Sequence, residues 1–172
     1  MIALILRAAL PCVLAAAPVS AAELKPWTGG PAPVLELRGL DGAGHRLADY
    51  RGRVVLVNFW ATWCEPCRDE MPSMQRLKEK LAGKPFAVLA VNLDEPESRI
   101  RQFLSRMKVD FTVLLDPGKK AARAWDARIL PASFVIGVDG KIHYSLVGEL
   151  DWDHERVVDR LSKLFPSRGL GK

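Results

Sequence analysis

The segment Val54–Trp60 (VVLVNFW) is short, almost continuously apolar, and rich in β-branched and aromatic residues. Such a run predicts a strand buried on both faces. After Ala61-Thr62-Trp63-Cys64 the period changes, because Met71, Met74, Leu77 and Leu81 recur at helical spacing. They predict one buried face of a helix from Glu65 to Ala82. Pro66 suits its first turn, Pro72 is expected to kink it, and Gly83 to end it. Residues 85–92 hold a second buried-strand pattern, AVLAV, and Ile100, Phe103, Leu104 and Met107 predict a helix over 97–108.

Further along, residues 111–115 read as a strand, 119–125 as a short helix, and 133–138 as another strand. Asp139-Gly140 is a hairpin turn leading into a strand over 141–147. A last helix is expected over 153–164, closed by Phe165-Pro166. At the other end, residues 23–33 are rich in proline and glycine and read as an extended lead-in. Residues 34–37 and 45–47 flank a glycine-rich turn and form an expected N-terminal hairpin, followed by a turn at 49–53. This order calls for an α/β domain: a central mixed β-sheet flanked by helices on both sides. No linker, repeat or low-complexity stretch divides residues 23–172, which read as a single domain.

The first 22 residues are set apart. Arg7 is followed by an apolar run to Val19, and Ser20-Ala21-Ala22 supplies small residues for cleavage after Ala21 or Ala22. A retained N-terminal anchor is the alternative, although Pro11 and Pro18 interrupt the run. Either reading places the rest of the chain on the extracytoplasmic side, in the periplasm. The net charge of +5 is scattered, with no finger, helix-turn-helix or dense basic stripe, so nucleic-acid binding is not expected.

The chain has 3 cysteines. Cleavage removes Cys12 and leaves Cys64 and Cys67, three positions apart, too close to staple much of a domain. Their position, where a buried strand passes into a helix, gives the spacing its chemistry. Free backbone amides and the helix dipole favour a thiolate at Cys64. Cys67 follows on the same turn and can attack a mixed disulfide formed at Cys64. A thiol near pKa ~8.5 falls to about 7 or below in such a setting. Glu65 opposes that fall by like-charge repulsion, which fits a reductant better than a strong oxidant. A zinc half-site and an inert disulfide are the bland alternatives. His45, His143 and His154 lack ligand spacing for the first, and the strand-to-helix placement argues against the second.

Pro131, in Ile129-Leu130-Pro131-Ala132, stands immediately before a buried strand and is either an ordinary strand-start proline or a cis bond shaping a groove. Asn58 either satisfies a core hydrogen bond or lies beneath the dithiol. Glu70, one turn beyond Cys67, is either a solvated helix carboxylate or an acid/base for the Cys67 proton.

Together VVLVNFWATWCEPCRDEMP and ILPASFVIGVDGKI resemble the TlpA/ResA-like branch of the exported thioredoxin family, over about residues 33–164. The resemblance implies a thioredoxin fold with an N-terminal hairpin and a central helix-strand insertion over about 93–115. It implies Cys64 as exposed nucleophile, Cys67 as resolving cysteine, Pro131 as cis-proline, and Glu70 as part of the proton relay. Trp63 matches a tryptophan beside the dithiol, and Pro66 and Glu65 fill its loop. Asn58 departs from the aspartate usual in thioredoxins, and Leu130 is larger than the usual residue before the proline. The cofactor is then none, apart from a redox-active disulfide between Cys64 and Cys67.

The function expected from residues and resemblance is an exported dithiol reductase, a monomer recharged by a membrane thiol electron donor. Its substrates would be protein disulfides, in apocytochrome c during cytochrome c maturation or in a copper-site protein. A disulfide oxidase or isomerase is the alternative enzyme. A copper-delivery protein using Cys64 and Cys67 as ligands is the alternative of a different class.

Overall fold

The computed structural model describes residues 23–166. The expected leader, with Cys12, and the tail after Pro166 lie outside the described residues. Strand β4 (Val54–Trp60) is buried at every position and, as in any strand, its side chains alternate between two faces. Val54, Leu56 and Trp60 enter one core; Val55, Val57 and Phe59 enter the other.

Strands β5 (Phe86–Leu93) and β6 (Thr112–Asp116) run parallel to β4 on one side. On the other side β7 (Ala132–Ile136) pairs antiparallel with β4, and β8 (Ile142–Val147) pairs antiparallel with β7. The hairpin β2 (Glu36–Gly39) and β3 (Gly44–Arg46) joins beyond β6, and β1 (Lys25–Pro26) joins beyond β8. The order across the sheet is β1-β8-β7-β4-β5-β6-β2-β3.

Helix α1 (Glu65–Lys80) contributes Met71, Met74 and Leu77 to the first core. Helix α2 (Glu97–Leu104) adds Ile100, and α4 (Glu155–Ser162) adds Val157 and Leu161, to the same side. Helix α3 (Lys120–Ala124) covers the opposite face with Ala121 and Ala122, beside Trp125. The expected mixed sheet with helices on both faces is therefore present, and the α2–β6 segment is its central insertion.

One helix end differs from expectation, and two other segments gain detail. The helix expected to reach residue 108 ends at Leu104, where Arg106 and Met107 amides donate three residues back to Phe103 and Leu104 carbonyls. These turns redirect the chain into β6. The lead-in is not free: Lys25 and Pro26 pair with Ser145 and Tyr144, and the Arg160 guanidinium donates to the Leu24 carbonyl at 2.6 Å. A proline is accommodated there because β1 is an edge strand. Helix α1 continues as one element through Pro72. Gly83, at φ 81°, takes the left-handed conformation in the turn after it.

Because β4, β5 and β6 are parallel, their carboxyl ends lie together. The pairing of Phe59 with Ala132 brings the start of β7 to that same end. Asp116, at the end of β6, accepts from the Ala121 and Ala122 amides at 3.0 and 2.8 Å. These are free donors of the first turn of α3, so one buried carboxylate fixes that helix to the sheet. Asp116→Ala is expected to lower stability by about 2 kcal/mol in urea denaturation, the upper range for losing a helix cap. A loss below about 0.5 kcal/mol would mean that α3 is held by its apolar contacts alone.

Candidate active site

Cys64 stands at the N-cap of α1 and is disulfide-bonded to Cys67, with Cα atoms 5.3 Å apart. Its sulfur accepts from the Cys67 amide at 3.3 Å. Glu65 and Pro66 fill the first turn, where a proline displaces no intrahelical hydrogen bond. After reduction, sulfur at this position faces the free amides and positive end of a 16-residue helix, the setting that favours thiolate. The two cysteines are not equivalent. Both belong to the core, so Cys64, at 6% accessible, is not the exposed residue expected, but it lines an open groove of about 560 Å³ from whose lining Cys67, at 1%, is absent.

Beneath the dithiol lies a polar network within the apolar core. Glu70 is only 3% exposed. Its Oε1 accepts from Asn58 Nδ2 at 2.7 Å, and its Oε2 from the Leu150 amide at 3.1 Å and Trp152 Nε1 at 3.0 Å. Asn58 also donates to Ser133 Oγ at 2.9 Å, and Ser73 Oγ accepts from the Trp152 amide at 3.0 Å. Asn58 is thus a core hydrogen-bonding group, and one of its bonds goes to the carboxylate one turn from Cys67. The solvated reading of Glu70 does not hold. Burial pushes its carboxyl up to about 7, against the donors from Trp152, Asn58 and Leu150, and the Glu149 charge adds to the rise.

The loop before Cys64 has its own anchor. Glu95, with its side chain 5% exposed, accepts from the Thr62 amide at 2.6 Å and from Thr62 Oγ1 at 2.5 Å. Asn92 Nδ2 donates to the same carboxylate at 2.8 Å. Thr62 is therefore tied to the end of β5. Sequence reasoning passed over Glu95, although Asn92-Leu93-Asp94-Glu95 ends a parallel strand beside β4, where sites of such sheets collect. Trp152 had no comparable signal, since it reaches Glu70 only through tertiary packing.

The Leu130–Pro131 peptide is cis. Leu130 lines the groove with Cys64, and among the described residues its amide and carbonyl make no backbone hydrogen bond. Trp63, 63% exposed, lines the same groove with Pro66 and Leu93. The dithiol, Pro131, Leu130, Trp63 and Pro66 thus meet at one end of the sheet, with Glu70 and Asn58 below them.

Glu70 carries a pH signature. Its carboxyl rises from 4.5 to about 7 on folding, so between those values the folded chain holds a proton that the unfolded chain has lost. Stability is then fully present below about pH 4.5 and falls by about 3 kcal/mol as pH rises to about 7. Urea titrations of the oxidised chain, in which neither cysteine titrates, read this directly. Glu70→Gln should flatten that slope, and an unchanged slope would place the titration elsewhere.

The comparisons agree with this geometry. The AhpC/TSA family model matches residues 28–145. Thiol-disulfide oxidoreductase ResA of Geobacillus thermodenitrificans is 37% identical over 138 residues, covering 80% of this chain and 78% of that protein. A crystal structure assigned as thiol:disulfide interchange protein DsbE of Chlorobium tepidum superposes with a TM-score of 0.73 at 34% identity, covering 83% of this chain and 99% of that one. The pneumococcal exposed lipoprotein thioredoxin Etrx1 of Streptococcus pneumoniae gives a TM-score of 0.66 at 27% identity, covering 77% and 100%. The fold is the thioredoxin fold, and the chain belongs to the AhpC/TSA family, as a ResA-like thiol–disulfide oxidoreductase.

Proposed function

We propose that the protein is an exported dithiol reductase of protein disulfides. The observation that carries this reading is the asymmetry of the pair: Cys64 borders the groove at a helix N-cap, while Cys67 is enclosed one turn from a buried carboxylate. The Cys64 thiolate attacks one sulfur of a substrate disulfide. A Cys64–substrate disulfide forms, the substrate's own S–S bond breaks, and its other sulfur leaves as thiolate. Cys67 then loses its proton to the Glu70 carboxylate and attacks Cys64 Sγ. The Cys64–Cys67 bond forms, the second substrate sulfur departs, and the proton returns to it. The substrate gains two electrons and the protein gives up two. A carboxyl near 7 exchanges a proton readily at neutral pH, which suits Glu70 to this relay.

An extended substrate would pair with the free backbone of Leu130, in the manner of an added strand. Glu65, exposed beside Cys64, favours the reducing direction by opposing thiolate build-up. A membrane thiol donor would return the pair to its reduced state. The leader-like first 22 residues, and the description of the pneumococcal relative as an exposed lipoprotein, support an extracytoplasmic site. Among the described residues no helix is long and apolar enough to cross a membrane. Disulfides of apocytochrome c and of a copper-site protein are the two substrate classes that this reading carries forward.

In a Cys67→Ser chain, attack by Cys64 still occurs but resolution does not. Expression with the leader, followed by alkylation at harvest, should show higher-mass adducts that vanish with dithiothreitol. Cys64→Ser should show none. Equal adducts in both variants, or in neither, would remove the proposed division of roles. A reduction potential near about −120 mV would turn the reaction toward oxidation.

A further inference from the structure

Among the described residues four large apolar side chains are left exposed: Val34, which lies at another cavity, and Trp63, Ile129 and Val147, 63%, 68% and 59% accessible. The last three lie toward the dithiol end of the sheet. Trp63 and Ile129 line the groove with Cys64, and Val147 pairs with Ala132, the residue after Pro131. Exposed apolar surface concentrated at one place marks a contact surface. Its charge is as uneven as its hydrophobicity. Lys119, Arg123 and Arg128 line the groove, and no carboxylate does. Arg128 is occupied, its Nε donating to Asp126 Oδ1 at 2.6 Å. Lys119 and Arg123 make no side-chain hydrogen bond or ion pair among the described residues, in contrast to Arg76 and Lys80, which are both held by Asp153.

We propose that Lys119 and Arg123 select substrate segments bearing a carboxylate close to the reacting cysteine. The proposal rests on the exchange chemistry above and adds to it the kind of partner that the groove fits. Both cations are exposed, Lys119 just before α3 and Arg123 in its last turn, and Asp116 anchors that helix to the sheet, so they face the groove from a fixed support. An extended segment seated along Leu130 advances about 3.3 Å per residue. A residue one or two positions from the bonded cysteine therefore stays within the groove that Cys64 and the two cations share. Its carboxylate meets two unpaired positive charges, while its apolar neighbours meet Trp63 and Ile129. Glu65, exposed beside Cys64 but outside the groove lining, opposes this preference with one negative charge, against the two positive charges of Lys119 and Arg123. Complementary charge of this exposed kind acts mainly on association and weakens with salt.

The test uses the reduced full-length mature chain in single turnover against three synthetic peptide disulfides, alike except for Glu, Gln or Lys on both sides of the cysteine. Each rate is divided by the rate with the neutral reductant dithiothreitol, because flanking charge also alters the peptide thiol itself. At about 20 mM salt the Glu peptide should react about five-fold faster than the Gln peptide, and the difference should shrink at about 0.5 M. In the Lys119→Gln/Arg123→Gln double variant the ratio of Glu to Gln rates should fall to about one. In a Lys119→Glu/Arg123→Glu double variant the Lys peptide should become preferred. A wild-type ratio of one, or a ratio that persists in a double variant of unchanged circular dichroism, overturns the proposal and leaves the exchange chemistry standing. Failure of the folded wild-type chain to reduce any of the three peptides overturns both.

Discussion

A carboxylate removed from water must be neutralised or supplied with donors, and Glu70 is the group on which this constraint falls. Its three donors come from Asn58 in β4 and from Leu150 and Trp152 in the segment between β8 and α4. None is its neighbour in sequence. The carboxylate is satisfied only when the central strand, α1 and that segment have come together, so the network forms with the domain. Ser133 and Ser73 carry it further, into β7 and back to α1. The same burial lifts the affinity of Glu70 for a proton to about neutral, beneath a pair of cysteines whose chemistry turns on proton loss.

Above this network, the parallel run of β4, β5 and β6 decides what surrounds the sulfurs. Each strand delivers a different part at its carboxyl end: β4 the dithiol loop, β5 the Glu95 anchor of Thr62, and β6 the Asp116 cap of α3. Antiparallel β7 starts at the same end and adds Pro131. The division of labour follows from position. Groups below the disulfide are enclosed and suited to proton transfer, whereas those beside it are open, apolar and positively charged.

Much of this was legible along the chain. The strand over 54–60 agrees with β4 residue for residue, because a continuous β-branched run next to a helical repeat leaves little ambiguity. The start of α1 at Glu65, the buried face of Met71, Met74 and Leu77, and the turn at Gly140 follow equally local rules. So does the placement of Cys64 at a helix N-terminus, since it needs only a strand that ends and a helix that begins. Element ends were less legible. The stop of α2 at Leu104 depends on where β6 must enter the sheet, and the pairing of β1 depends on an open edge of β8.

The fold class follows from the order of strand and helix patterns along the chain, and the dithiol at a helix start and the candidacy of Glu70 and Pro131 follow from local spacing. That Glu70 is buried, that Trp152 and Asn58 hold it, that Glu95 holds Thr62, and that Lys119 and Arg123 face the groove are set by tertiary packing. Those facts join residues up to 82 positions apart. Desolvation and charge pairing depend on what lies nearby in space, and periodicity along one segment carries no record of that.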